Sequence, residues 1–216
     1  LTNLTDYYRK KGDYAKSFYY MEKSFNSDFI ERQRKLAILS FYVSDESYIN
    51  DYPNEMEDLM KVYLSKYPED QDGKLIAVDF YIQRKEYGKA FDLLNEYINS
   101  NNAPYAIWMQ ATLLANAAGK NEELVEVTNK ALKIYSDSVD LVFFKSLGLY
   151  GQKAYEELIV SLEDIDFGGY TNEEYEKNSF NLLAEAYQHT GDYTKADSLF
   201  EIIIQRDPGD YIAMNN

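Results

Sequence analysis

The sequence has no cysteine, and only one of its 216 residues is histidine. Without cysteine the chain can form no disulfide bond, no thiolate metal site and no thiol nucleophile. Zinc sites built from histidine need several such ligands, so the single residue His189 excludes that class of site as well. His189 stands at the end of a predicted helix with no partner fixed by spacing, and we expect it to be exposed to solvent. These absences predict a protein without catalytic, metal-binding or cofactor-binding residues.

Long apolar runs and basic residues are also scarce. No stretch approaches the roughly 20 apolar residues that span a membrane, so we expect no membrane insertion of this segment. Lysine and arginine number 22 against 37 aspartate and glutamate residues, which gives a formal net charge of −15. Such a charge disfavours binding to nucleic acid and to anionic lipid. A basic or neutral protein surface would be a better partner, although acidic charge also serves solubility alone.

The clearest pattern that is present lies between residues 178 and 208, where two amphipathic helices are predicted around a Gly-Asp-Tyr turn. Gly191 suits the positive φ that often ends a helix, Asp192 can cap the second helix, and Pro208 can end it. One such pair would still expose its outer apolar edges, so it must stack on neighbouring pairs. The apolar positions at helical spacing are Leu183, Ala184 and Tyr187 on the first helix and Ala196, Leu199, Phe200 and Ile203 on the second.

Similar turns recur along the chain at repeated distances. Tyr87 and Asn121 occupy equivalent turn positions 34 residues apart. Tyr14 precedes Tyr87 by 73 residues and Asn121 precedes Tyr193 by 72, so each of these stretches holds two such units plus an insertion. We place the insertions at residues 44–52 and 166–171.

This pattern resembles the tetratricopeptide repeat, a helix pair of about 34 residues. The resemblance implies an all-α fold, a right-handed α-α superhelix of about six helix pairs, in a single array over residues 1–216. The residues that carry it best are Phe180, Leu183, Ala184, Tyr187, Gly191, Ala196, Phe200 and Pro208. The expected helices cover residues 1–11 and 14–27, 30–45 and 53–67, 72–84 and 87–100, 105–118 and 121–135, 138–149 and 152–165, and 172–190 and 193–206. The expected repeats are 1–29, 30–69, 70–103, 104–137, 138–170 and 171–208, with 209–216 starting a further helix.

We expect this segment to come from a longer array, because residue 1 enters a repeat partway and residues 211–216 begin a helix that is not completed. The order of repeats is similar to the central part of longer bacterial tetratricopeptide proteins, most of them of unknown function. Many of those carry an export or lipoprotein signal, so the resemblance implies the bacterial cell envelope, with the cytoplasm as the alternative. Exposed ends of a cut array could also stack on each other and produce self-association.

Tyrosine is unusually frequent, with 22 copies. Where a tyrosine falls at an aromatic position of the repeat, we expect it to pack against neighbouring helices, and we expect the same of Trp108. The tyrosines concerned are Tyr8, Tyr81 and Tyr187 on first helices and Tyr14, Tyr87 and Tyr193 at the turns.

By the register of the resembled repeat, one side of the first helices would line a concave groove. The lining would be acidic at both ends and more apolar around Met109 and Leu113, which suits a peptide with an apolar anchor between basic or amide side chains. The alternative is that these residues face solvent or the next turn of the superhelix. The candidate groove residues are Asp6, Arg9, Asp79, Ile82, Met109, Leu113, Asn116, Asn181, Glu185 and Gln188.

The sequence therefore predicts a non-enzymatic scaffold that binds a peptide or a partner protein in this groove. The alternative is a regulatory or sensory arm of a larger enzyme or signalling protein, with catalysis located elsewhere. Neither hypothesis includes a cofactor or a nucleic acid in this segment.

Overall fold

The computed structural model describes residues 2–100, 102–163, 165 and 172–206. The expected insertion at 166–171, the helix end at Pro208 and the further helix at 209–216 lie outside the described residues. The described residues form thirteen α-helices and no strand, and none of these helices is long and apolar enough to cross a membrane. By their contacts the residues divide into two compact units, Leu1–Asn101 (unit 1) and Asn102–Asn216 (unit 2).

Unit 1 consists of stacked helix pairs. Its helices are α1 (Thr2–Lys10), α2 (Tyr14–Asn26), α3 (Arg32–Val43), α4 (Glu46–Asp51), α5 (Pro53–Lys66), α6 (Gln71–Gln83) and α7 (Tyr87–Ser100). Helix α1 packs on α2 and α6 packs on α7, while α3 contacts α6 and α2 contacts α5. The first helix of one pair therefore lies beside the first helix of the next. Apolar side chains fill the space between the helices, among them Phe25, Leu39, Met56, Phe80 and Phe91, each at most 1% exposed.

One lysine lies within this core. Lys35 is fully buried, and its Nζ donates hydrogen bonds to the carbonyl oxygen of Ser27 at 2.8 Å and to the hydroxyl of Tyr67 at 3.2 Å. The same Nζ lies 5.3 Å from the centre of the Tyr67 ring. A buried ammonium group is tolerated only when such partners replace its water. Lys35 thus ties α3 to the ends of α2 and α5.

Unit 2 repeats the arrangement. Its helices are α8 (Tyr105–Ala117), α9 (Asn121–Leu132), α10 (Val139–Gly151), α11 (Tyr155–Leu162), α12 (Glu173–Thr190) and α13 (Tyr193–Arg206). The pairs are α8 with α9, α10 with α11, and α12 with α13, and the first helix α10 contacts both α8 and α12. The buried side chains include Leu124, Leu141, Leu158, Ala184 and Ala196, each fully buried.

Five of the turns that join paired helices contain a residue with positive φ. Three of these are glycines, Gly12, Gly119 and Gly191, as the turn chemistry predicts. The other two are Lys85, with φ of 58°, and Lys153, with φ of 60°. A left-handed conformation costs a residue with a Cβ about 1 kcal/mol. The helix pairs on either side impose this conformation on the two lysines.

The predicted helix pairs are confirmed, and their bounds agree with the expected ones to within a few residues. One helix was not predicted: α4 fills the expected insertion at 44–52. Asp45 begins it by accepting a hydrogen bond from the backbone N–H of Ser47 at 3.0 Å, and Ile49 is 3% exposed. The Tyr48 ring lies 4.5 Å from that of Tyr42. The insertion is therefore packed against the pair that contains it.

The expected packing of aromatic side chains against neighbouring helices is confirmed for Trp108, Tyr187 and Tyr81. Trp108 is 5% exposed, Tyr187 is 5% exposed and Tyr81 is 7% exposed. The expectation for Tyr193 is wrong, because 64% of this residue is exposed. The equivalent Tyr14 contacts the ring of Tyr52 at 5.0 Å in the following pair, whereas no described helix follows α13.

Candidate protein-binding face

Each unit presents a surface formed by adjacent first helices. We call the solvent side of α3 and α6 the first-helix face of unit 1, and that of α8, α10 and α12 the first-helix face of unit 2. Because the helices are held by their buried side chains, these surfaces exist before any ligand arrives. The candidate groove residues lie on these faces and on α1.

On α1, the two candidates neutralise each other. Asp6 is exposed, and its Oδ1 lies 3.3 Å from Nη2 of Arg9 one helical turn later. Ion pairs this exposed contribute at most about 1 kcal/mol, so a ligand could separate the two charges at little cost. This pair offers one charge of each sign to a partner.

On the first-helix face of unit 1, Asp79 and Ile82 line a cleft of about 270 Å³ between α3 and α6. The two helices are also joined at this point, because Nε2 of Gln83 donates a hydrogen bond to the carbonyl oxygen of Val43 at 3.0 Å. The structure therefore brings two of the predicted groove residues into one concave feature.

On the first-helix face of unit 2, α8 supplies apolar surface. Leu113 is 45% exposed, Met109 is partly exposed and Asn116 is exposed one turn beyond Leu113. A large apolar side chain that remains nearly half exposed on a rigid helix is available for contact with a partner.

Helix α12 supplies the polar candidates of the same face, and one of them is already engaged. Oε2 of Glu185 accepts a hydrogen bond from the hydroxyl of Tyr150 on α10 at 2.5 Å. That hydrogen bond, together with burial, raises the pKa of Tyr150 to about 12. The Tyr150 ring contacts Tyr155 edge-on at 5.8 Å, and Tyr155 stacks on His189 at 4.2 Å. These four side chains form a connected cluster, which we call the Tyr150 cluster.

The sequence reasoning missed the Tyr150 cluster, although a signal was present. Tyr150 precedes Glu185 by 35 residues, close to one repeat, so the two fall at neighbouring positions of successive first helices. His189 is exposed, as expected, and its stacking on Tyr155 occupies one face of the imidazole. Among the described residues no group of three or more histidine, aspartate or glutamate side chains is placed to hold a metal ion.

Asn181 is one of the residues of unit 2 with a buried polar atom that is unpaired. Its Oδ1 is buried and accepts no hydrogen bond from any residue that the structure describes. Buried polar atoms are nearly always paired, so an unpaired one needs an explanation. Because this oxygen is closed to solvent, a bound chain could not reach it in this conformation, and it is no binding group of the face.

Two solved structures share the fold of this chain. One is YrrB, described as a TPR protein with an unusual peptide-binding site, which is 11% identical with a TM-score of 0.61 over 90% of this chain and 96% of YrrB. The other is MamA AMB-1, which is 16% identical with a TM-score of 0.60 over 87% of this chain and 98% of MamA. No protein-family model matches the chain. No curated protein matches it either.

Identities this low show the fold and nothing more. They confirm that the chain has the tetratricopeptide-repeat fold, an all-α solenoid of helix pairs, as the turn and packing residues predicted.

Proposed function

We propose that this chain, which has the tetratricopeptide-repeat fold, is a non-enzymatic scaffold that binds a peptide or a partner protein on its first-helix faces. The observation that carries the proposal is the exposed apolar surface of Leu113 and Met109 on α8, in the same unit as the polar side chains of α12. Solvent-exposed apolar side chains beside hydrogen-bonding groups are typical of the centre of a protein interface.

Three further observations support the proposal. The helices that carry the face are fixed by a buried core, which lowers the ordering cost of binding an extended segment. YrrB, which shares the fold, is described as having a peptide-binding site. The net charge of −15 favours a partner with a basic or neutral surface.

The test is a comparison of two variants that change charge equally. In the first, Asp79→Lys and Glu185→Lys reverse two carboxylates on the first-helix faces. In the matched control, Asp58→Lys and Glu156→Lys reverse two exposed carboxylates on the second helices α5 and α11. Wild type and both variants are applied to a peptide array of diverse sequences, and the affinities of the bound peptides are measured by fluorescence polarisation.

We expect the first variant to weaken binding by about tenfold or more, since each reversal replaces an attraction by a repulsion near the ligand. The matched control should bind within about twofold of wild type, because its charges lie on second helices, outside the proposed binding faces. Equal losses of affinity in both variants would mean that the overall electrostatic field of the protein, and not the first-helix faces, determines binding. Loss in the control alone would move the binding surface to the second helices, and a wild-type chain that binds no peptide would refute the scaffold function.

A further inference from the structure

The cleft on the first-helix face of unit 1 is small and has mixed walls. Its volume of about 270 Å³ lies just below the roughly 300 to 1,000 Å³ of sites for small molecules, so it suits one side chain rather than a cofactor. Three apolar residues form much of the wall and a single carboxylate lies among them. The lining residues are Ser40, Val43, Ser44, Ile76, Asp79, Ile82 and Gln83.

Asp79 is unlike the other carboxylates of unit 1 that carry perturbed pKa values. Lys89 donates a hydrogen bond to Glu57 at 2.9 Å and lowers the pKa of that carboxyl. A hydrogen bond from Lys89 also lowers the pKa of Glu86. No ion pair or hydrogen bond joins Asp79 to any residue that the structure describes. Asp79 remains exposed as a whole, and the partial desolvation of its carboxyl raises its pKa, with no neighbouring charge opposing the shift.

The cleft therefore presents a water-accessible carboxylate that no described residue of unit 1 pairs with. An accessible carboxylate beside apolar walls can form a charge-assisted hydrogen bond with a cation of a partner. A cation entering the cleft would supply the opposite charge and the hydrogen-bond donors that Asp79 lacks within the described part of unit 1.

The shape of the cleft selects the kind of cation. Lysine and arginine carry a charged head on an apolar stem of three or four carbons. The stem would lie along Val43, Ile76 and Ile82 while the head reached the Asp79 carboxylate. A free metal ion would find only one carboxylate here, which is too few ligands for tight binding.

We propose that the cleft between α3 and α6 binds one lysine or arginine side chain of the partner, with Asp79 as its counter-ion. This inference rests on the proposed function, since it names the chemistry of the ligand that the first-helix face of unit 1 recognises. The partner must therefore carry a lysine or arginine at a defined position of the bound segment in order to bind tightly.

The test uses three probes on the full chain labelled with ¹⁵N. They are the amides of Nα-acetyl-lysine, Nα-acetyl-arginine and Nα-acetyl-norleucine, which share the peptide unit and differ in the charged head. The variants are Asp79→Asn and, as a matched control, Asp58→Asn, which removes the same charge from an exposed position on α5. Circular dichroism confirms that both variants fold.

The lysine and arginine amides should shift the backbone resonances of residues 40–44 and 76–83, and norleucine amide should not. Asp79→Asn should weaken their binding by about tenfold or more, as expected for a charge-assisted hydrogen bond, while Asp58→Asn leaves it unchanged. An equal response to norleucine amide, or binding that survives Asp79→Asn, would overturn the proposal.

Failure of this inference and failure of the scaffold function can be told apart. Peptides that bind the chain whether or not they contain a basic residue, and with the same affinity for Asp79→Asn, would overturn the cation site and leave the scaffold function intact. A chain that binds no peptide would overturn the scaffold function, and the response to the lysine amide would still decide whether the cleft is a cation site.

Discussion

Replacing Asp70 with alanine is expected to lower the free energy of unfolding by about 2 to 3 kcal/mol, because a buried hydrogen bond and an ion pair lose the partner they share. The Asp70 side chain is only 6% exposed, and its Oδ1 lies 2.6 Å from Nη1 of Arg32. Its Oδ2 accepts a hydrogen bond from the hydroxyl of Tyr63, a residue that is 1% exposed. Alanine would deprive that buried hydroxyl of its acceptor. Urea denaturation followed by circular dichroism measures the loss.

The matched control is Asp70→Asn, whose amide oxygen can still accept from Tyr63 but carries no charge. Burial alone would raise the pKa of Asp70, but hydrogen bonds from Tyr63 and Arg32 outweigh it and lower that pKa. The Asp70 charge therefore makes its full contribution to the free energy of unfolding above the ordinary aspartate pKa of about 3.9. This contribution is lost as the pH falls through the lower pKa that Asp70 has in the folded state. The advantage of wild type over Asp70→Asn should be constant near neutral pH and shrink below about pH 4. An advantage that does not change in acid would contradict this account.

Replacing Gly148 with alanine is expected to destabilise unit 2 by about 1 to 3 kcal/mol, as overpacking of a close helix contact does. Helix propensity alone predicts the opposite sign, since glycine inside a helix costs about 1 kcal/mol relative to alanine. An alanine Cβ would lie 2.8 Å from Cγ2 of Val125 and 3.0 Å from the carbonyl oxygen of Asn121, both on α9. Neither group can move aside easily, because one is a stiff β-branched side chain and the other is backbone. The fluorescence of Trp108, the only tryptophan, measures the unfolding of unit 2.

Trimming the obstructing side chain provides the control for this prediction. In the double variant Gly148→Ala with Val125→Ala, the Cγ2 atom is gone, and part of the loss should be recovered relative to the sum of the two single variants. If Gly148→Ala were more stable than wild type, the close approach of α9 and α10 would not be the reason for glycine at this position.

The helix pairs could be predicted because their signals are local. The apolar stripe of α12, the positive-φ glycine Gly191 and the cap at Asp192 all lie within about one repeat of each other. The Asp192 Oδ1 accepts a hydrogen bond from the backbone N–H of Lys195 at 3.3 Å, as its place in the sequence predicted. Periodicity and turn chemistry were therefore sufficient for the secondary structure.

Features that depend on contacts between pairs could not be predicted. Helix α4 is six residues long, too short for a periodic signal, and it is fixed by packing of Ile49 and Tyr48. The left-handed conformation of Lys85 and Lys153 is imposed by the helices around them, since lysine gives no local signal for it.

The candidate face was predictable as a set of positions but not as a set of interactions. The repeat register placed Glu185 and Asp79 on first helices, and both lie there. It gave no reason to expect that Glu185 would be paired with Tyr150 while Asp79 would remain unpaired in a cleft. Those differences arise from the particular side chains that neighbouring first helices supply, which a single repeat does not encode.

The absence of cysteine makes the central claim directly measurable, because single cysteines can be introduced on an unreactive background. Ile82→Cys and Leu113→Cys place thiols on the two first-helix faces, and Val160→Cys places one on the second helix α11, where the residue is 75% exposed. The rate of alkylation by N-ethylmaleimide is measured for each variant with and without a peptide selected from the array.

With peptide at about ten times its dissociation constant, we expect alkylation of a first-helix cysteine under the peptide to slow by about tenfold, because only the free fraction reacts. Alkylation of Val160→Cys should keep its rate. Protection of Val160→Cys, with Ile82→Cys and Leu113→Cys both reacting at their free rates, would contradict the assignment of binding to the first-helix faces.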